Sequence, residues 1–188
     1  MSEVTVIDNF MTQEDREVAI ELIANLLEGR TSSRTATGSA LSDFYEDQGE
    51  RAVFSQPEAP EAIEIVKRYS KKVAEEVLKQ DLVVHDCIFV HYGPGSHVEE
   101  HMDFDFEDDC ADCTHAAVIY FDEDYTGGEI YFPKLNESYK PNAGSIVVFP
   151  QRNRDYTHGV KEIKTGVRHM MNMCMTPNRD KTPEQYKI

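Results

Sequence analysis

No apolar run in this chain approaches the ~18 residues that a membrane span requires. Its first residues, MSEVTVIDNF, carry neither a basic region nor the apolar core of an export signal. A cytoplasmic protein is the expectation. Basic charge is also scarce: 19 Lys and Arg face 35 Asp and Glu, for a formal net charge of −16 over 188 residues. A balance of that sign repels phosphate backbones and anionic membranes, so neither nucleic acid nor a membrane is an expected partner. The four cysteines, Cys87, Cys110, Cys113 and Cys174, are too few and too scattered for a disulfide scaffold, which fits a reducing compartment. Cys110 and Cys113 form a C-x-x-C, but no second pair follows to complete a structural zinc site, and two loop thiols are expected. Internal repeats and low-complexity segments are absent too. What is present, 40% hydrophobic and 29% charged residues, is the composition of a soluble folded chain, and the length suits a single domain over 1–188.

Helical periodicity occupies the N-terminal region of the chain. Thr12 with Asp15 reads as an N-cap, and Val18, Ala19, Leu22, Ile23, Leu26 and Leu27 share one face until Gly29. Residues 30–56 are rich in Ser, Thr, Gly and acidic side chains, without period, and read as a long loop of the kind that serves as a substrate lid. After Pro57 and Pro60, the stripe Ile65, Val66, Tyr69, Val73, Val77 and Leu78 predicts a second helix ending near Gln80. Beyond 81 the period falls to two. Strands are expected at 82–92, 116–121, 128–132, 145–149 and 167–175, separated by Gly, Pro, Asn and Asp. Helices followed by short strands without crossover helices indicate an α+β chain, with a helical region over 1–80 and an antiparallel sandwich or jelly-roll core over 81–176.

The chemistry centres on His101-Met102-Asp103. In a strand, residues i and i+2 share a face, so an imidazole and a carboxylate can converge on one ion. With a second histidine on another strand and open coordination positions, the set becomes the two-His, one-carboxylate triad of non-haem Fe(II) oxygenases. His115, His158 and His169 are the candidates. His158 is preferred because Arg168 follows ten residues later, beyond a turn at Lys164-Thr165-Gly166. That turn would place a guanidinium on a strand beside the metal-binding one, where its fork can hold the far end of a metal-bound dicarboxylate. Arg152 and Arg154 are rival anchors. His85, His91, His97, His115 and His169 read as ordinary structural residues, and Gly127-Gly128 as a tight turn or bulge.

These residues resemble the prolyl 4-hydroxylase-like branch of the 2-oxoglutarate- and Fe(II)-dependent dioxygenases. The pattern runs Tyr92-x-x-Gly95, His101-x-Asp103, Tyr120, Gly127-Gly128-Glu129, Phe132-Pro133, Pro141-x-x-Gly144, His158 and Arg168, and it spans about half of the chain. Val6-Ile7-Asp8-Asn9-Phe10 before a helix is similar to how such domains begin. The resemblance implies a double-stranded β-helix (jelly roll) of antiparallel strands with N-terminal supporting helices. It implies His101, Asp103 and His158 as iron ligands, Arg168 on the distal carboxylate of 2-oxoglutarate, and Tyr92 and Tyr120 as further cosubstrate contacts. Fe(II), 2-oxoglutarate and O2 would be the cofactor and cosubstrates, with ascorbate as an accessory. The implied reaction is hydroxylation of a prolyl residue in a peptide or protein. Arg168 stands where many prolyl 4-hydroxylases carry lysine, and Val98 where members often carry tyrosine.

Two other functions compete. One keeps the chemistry and changes the target to lysine, a free amino acid or another small molecule. The second is a metal-binding jelly roll without turnover, which would not need the arginine anchor. Eight acidic residues lie between Glu99 and Asp112, flanking the proposed iron, and such an entrance favours a basic peptide or protein.

Overall fold

The computed structural model describes residues 3–28, 51–55, 57–103 and 112–187, and the backbone alone at 41–44. Its elements are β1 (Thr5–Ile7), α1 (Gln13–Glu28), β2 (Leu41–Phe44), β3 (Arg51–Ser55), α2 (Pro60–Lys72) with a π-helical extension (Val73–Leu78), β4 (Val83–Tyr92), β5 (Val98–His101), β6 (His115–Tyr120), β7 (Thr126–Gly127), β8 (Ile130–Phe132), β9 (Glu137–Tyr139), β10 (Ile146–Pro150), β11 (His158–Val160), β12 (Ile163–Thr165) and β13 (Arg168–Thr176). All pairings are antiparallel. A seven-stranded sheet runs β1-β10-β6-β13-β4-β3-β2, a four-stranded sheet runs β5-β11-β8-β9, and β12 pairs with β7. This is the expected α+β jelly roll.

Strand alternation divides the large sheet between two cores. Cys87 and Phe89 of β4, Ala117 and Ile119 of β6, and Met171 and Met173 of β13 pack with the helices, against Ala19, Ile23, Ile65, Val66 and Tyr69. Their neighbours Val90, Tyr92, Val118, Tyr120 and Met170 face the other way and meet Ile130, Phe132 and Tyr156 inside the barrel. Both faces of the sheet are covered, so these strands carry apolar side chains on both sides rather than on one. In α2, Pro60 takes the first turn, and Ala62, Ile65, Val66 and Tyr69 form the buried stripe. Asp15 ties the two helices together: its N–H donates to Thr12 Oγ1 at 3.2 Å, while Tyr69 OH donates to its carboxylate at 2.7 Å.

One expectation about the N-terminal region needs correction. Residues 30–56 are not one loop, because β2 and β3 lie within them and β3 pairs with β4 from Arg51↔Tyr92 to Ser55↔Ile88. The lid assigned there rests on 30–40, 45–50 and 56, which lie outside the described residues, as does Cys110. β1, β2 and β3 join the large sheet, so strands lie on both sides of the boundary expected between a helical region at 1–80 and a barrel core at 81–176. Short edge strands such as Thr5–Ile7, with its first two residues exposed, lack a buried period to betray them. No described helix is long and apolar enough to cross a membrane.

Candidate active site

Two clusters of functional side chains share the barrel interior. The first forms where β5 ends. His101 pairs with His158 of β11 and Val98 with Val160, so β5 uses three steps where β11 uses two. This bulge at Glu99–Glu100 re-aims the strand and brings His101 level with His158. Asp103 lies two residues past the end of β5, in a bend, and not in a strand as the i, i+2 reading required. The bend does the converging. Asp103 Oδ1 sits 3.2 Å from His101 Nε2 and 3.4 Å from His158 Nε2, and one ligand atom from each residue lies within 4.8 Å of the others.

Both imidazoles are prepared for a metal. His101 Nδ1 lies 2.8 Å from Glu99 O and His158 Nδ1 lies 3.1 Å from Tyr156 O. A carbonyl only accepts, so each Nδ1 carries the proton and each Nε2 keeps its lone pair toward the cluster. Phe149 and Phe132 hold the buried His158 ring at centroid distances of 4.7 and 5.7 Å. Burial pushes the Asp103 carboxyl up, but His158 and His101 outweigh it and hold the group well below the usual carboxylate range. Two imidazole nitrogens and an ionised oxygen converging on one point suit Fe(II).

The second cluster surrounds Arg168, whose side chain is wholly buried. Its Nη1 donates to Gly128 O at 2.6 Å, while Nε and Nη2 have no partner among the described residues. The guanidinium carbon lies 4.2 Å from the Tyr92 ring centroid and 5.5 Å from that of Tyr120. The Tyr125 hydroxyl, also buried, has no partner either. Burial pushes the Tyr120 and Tyr125 phenols up, against the pull of Arg168, so both remain protonated donors. An enclosed cation with unused donors, beside protonated phenols and paired with no described carboxylate, has the chemistry to accept a carboxylate from outside.

The position of Arg168 differs from expectation. It begins β13, in the large sheet between β4 and β6, rather than on a strand beside β11. After His158 the chain leaves the small sheet, pairs β12 with β7, and crosses to the opposite wall. Gly128 enables this crossing: at φ +71° a Cβ would lie 2.3 Å from Ile163 Cδ1 and 3.1 Å from Tyr125 Cε2. Arg168 and the histidines of the His101–Asp103–His158 cluster therefore belong to different sheets of the barrel.

The rival residues lie elsewhere. His169 Nε2 is 3.0 Å from His91 Nδ1, and its own Nδ1 is 2.9 Å from Asp122. His115 bonds Thr114 at 2.9 Å, and Arg152 and Arg154 are exposed. Two polar residues of the interior have no signature in the sequence. They are Tyr125 and Gln151, whose Nε2 donates to Asp103 Oδ2 at 3.1 Å. Neither belongs to a spacing pattern, and only the fold brings them to the site.

A jelly roll with two histidines and a carboxylate at one wall and a buried basic anchor at the other defines a non-haem, metal-dependent oxygenase. The model of the 2OG-Fe(II) oxygenase superfamily matches residues 87–175. A PKHD-type hydroxylase of Crocosphaera subtropica is 24% identical over 173 residues, covering 88% of this chain and 74% of the relative. The viral collagen prolyl hydroxylase of Paramecium bursaria Chlorella virus-1, solved with 2OG, superposes with TM-score 0.67 at 20% identity, over 94% of this chain and 96% of the other. A Trichoplax adhaerens prolyl hydroxylase, solved with a hypoxia inducible factor oxygen degradation domain peptide fragment, gives TM-score 0.69 at 14% identity, over 96% and 86%. The protein is a 2-oxoglutarate- and Fe(II)-dependent dioxygenase that uses O2.

Proposed function

We propose that residues 1–188 form one catalytic domain that hydroxylates a prolyl residue in a peptide or protein, with His101, Asp103 and His158 as iron ligands. The carrying observation is Arg168: a fully buried guanidinium with two unused nitrogens in the same barrel as the ligand set. It would take the distal carboxylate of 2-oxoglutarate through a charge-assisted fork, with Tyr92 and Tyr120 beside it. Bound Fe(II) supplies the activation of O2, coupled to decarboxylation of 2-oxoglutarate to succinate, that oxidises an unactivated C–H bond. The protein orients the reactants and excludes water: Phe132 and Phe149 line the interior beside His158, and Tyr92, Tyr120 and Arg168 close its far side.

A prolyl target is supported by the similar structures that are prolyl hydroxylases, and a basic peptide by the acidic surroundings, where Glu99 and Glu100 are exposed on β5. The scarcity of cysteine, four in 188 residues, supports a reducing, cytoplasmic setting. The test is succinate formation from 2-oxoglutarate with Fe(II) and ascorbate, combined with a mass-spectrometric search for oxygen addition on proline and lysine peptides. Proline products are expected. Products on lysine or on a free amino acid alone would move the target, and no succinate with any substrate would end the enzymatic reading.

A further inference from the structure

Gln151 follows the last residue of β10, and its N–H donates to Thr114 O at 2.9 Å. Only 3% of the residue is exposed. Its Nε2 lies 3.1 Å from Asp103 Oδ2 and 3.4 Å from Cys174 Sγ, and its Oε1 is buried without a partner. The orientation of the amide follows from chemistry. Turned over, Oε1 would face an ionised carboxylate, acceptor against acceptor, so the NH2 group belongs at Asp103. The two oxygens of Asp103 are thereby given different tasks: Oδ1 faces both imidazole Nε2 atoms, and Oδ2 is held by Gln151.

We infer that Gln151 is a positioning residue that restricts Asp103 to one-oxygen coordination and so keeps open a metal position the cosubstrates require. The inference rests on the ligand set proposed above. Carboxylates bind metals through one oxygen or two, and a second oxygen turned inward would occupy a position meant for 2-oxoglutarate or O2. Hydrogen-bonding partners behind metal ligands are worth about 10–100-fold in metal affinity or activity. The backbone bond to Thr114 and the near-complete burial give Gln151 the rigidity this role needs.

The test uses the full chain with Gln151→Met, which keeps the length of the side chain and removes the donor, and Gln151→Leu as a second variant, both checked for folding by thermal melting. Mn(II), a redox-silent stand-in for iron, is titrated by the electron-paramagnetic resonance of the free ion. Both variants should bind it about 10–100-fold more weakly. At saturating Mn(II), affinity for 2-oxoglutarate should fall while affinity for glutarate, which has both carboxylates but no keto oxygen to bind the metal, stays the same. Unchanged Mn(II) affinity in both folded variants overturns the inference. Equal losses for 2-oxoglutarate and glutarate also overturn it, because they assign Gln151 to packing alone. His101→Ala serves as the control: if it binds Mn(II) like the parent protein, the ligand set itself fails, whereas loss in His101→Ala with parental binding in both Gln151 variants rejects only the role of Gln151.

Discussion

Arg168 is buried completely, yet among the described residues its side chain makes a single hydrogen bond, to Gly128 O. A charge so enclosed is costly unless an anion meets it, and removing one partner of a buried charge pair costs about 2–5 kcal/mol. Arg168→Ala should therefore raise the KM for 2-oxoglutarate by at least about 30-fold, while Mn(II) affinity, measured separately, stays near the parental value. Loss of Mn(II) binding in that variant would attach Arg168 to the metal site instead. Tyr125→Phe gives a sharper contrast. Its hydroxyl has no partner in the structure, so without cosubstrate the variant should melt no lower than the parent. With cosubstrate, the loss of a hydrogen bond to a carboxylate should raise KM by about tenfold or more. Equal KM values would take Tyr125 out of the cradle. His158 and Arg168 are legible in the sequence because their spacing belongs to a family pattern. Tyr125 and Gln151 are not, since their importance lies in where a buried polar atom ends, and no spacing encodes that.

Long elements show themselves through period, and short ones do not. The stripe of α2 and the apolar run of β10 appear in the sequence because each buries several residues at a fixed repeat. β3 is hidden, although Val53 and Phe54 are buried, because its five residues follow a polar stretch and pair only through tertiary structure. The bulge in β5 is hidden too, and it decides where His101 points. Between α1 and α2, Asp15 accepts from Tyr69 OH at 2.7 Å and from Arg68 Nη1 at 2.7 and 2.8 Å. Burial pushes its carboxyl up, but Tyr69, Arg68 and Thr12 outweigh burial and hold it below its usual value. A carboxyl lowered in this way stabilises the fold above its unfolded pKa of about 3.9. That contribution disappears as pH falls through the folded value. Arg68 is mostly exposed and adds little, so the Tyr69 bond carries most of the effect. Asp15→Asn should lose about 1–2 kcal/mol in urea unfolding at pH 7. The gap to the parent should close as pH falls below about 4. A gap independent of pH would remove the charged hydrogen bonds from the explanation.

At the scale of the whole molecule, the net charge of −16 bears on how substrate arrives. Glu99 and Glu100 project from the strand that carries His101, and the side chain of Glu99 is 82% exposed. Their field also reaches Tyr131, whose phenol is pushed up first by burial and then by Glu100 and Glu99. Exposed charge of one sign beside a cleft draws the opposite charge inward and raises association rates, and salt weakens this. The Debye length shrinks from about 30 Å at 0.01 M to about 8 Å at 0.15 M ionic strength, so the effect should fade over that interval. For a lysine-flanked proline peptide, kcat/KM should fall by about tenfold between those conditions, and for a neutral peptide of the same core it should change little. The loss should appear in KM rather than kcat, because steering acts before chemistry. Replacing Glu99 and Glu100 by glutamine should remove most of the salt dependence while kcat is retained. If basic and neutral peptides respond to salt alike, the acidity of this chain is a matter of solubility, and its choice of substrate must come from contacts inside the barrel.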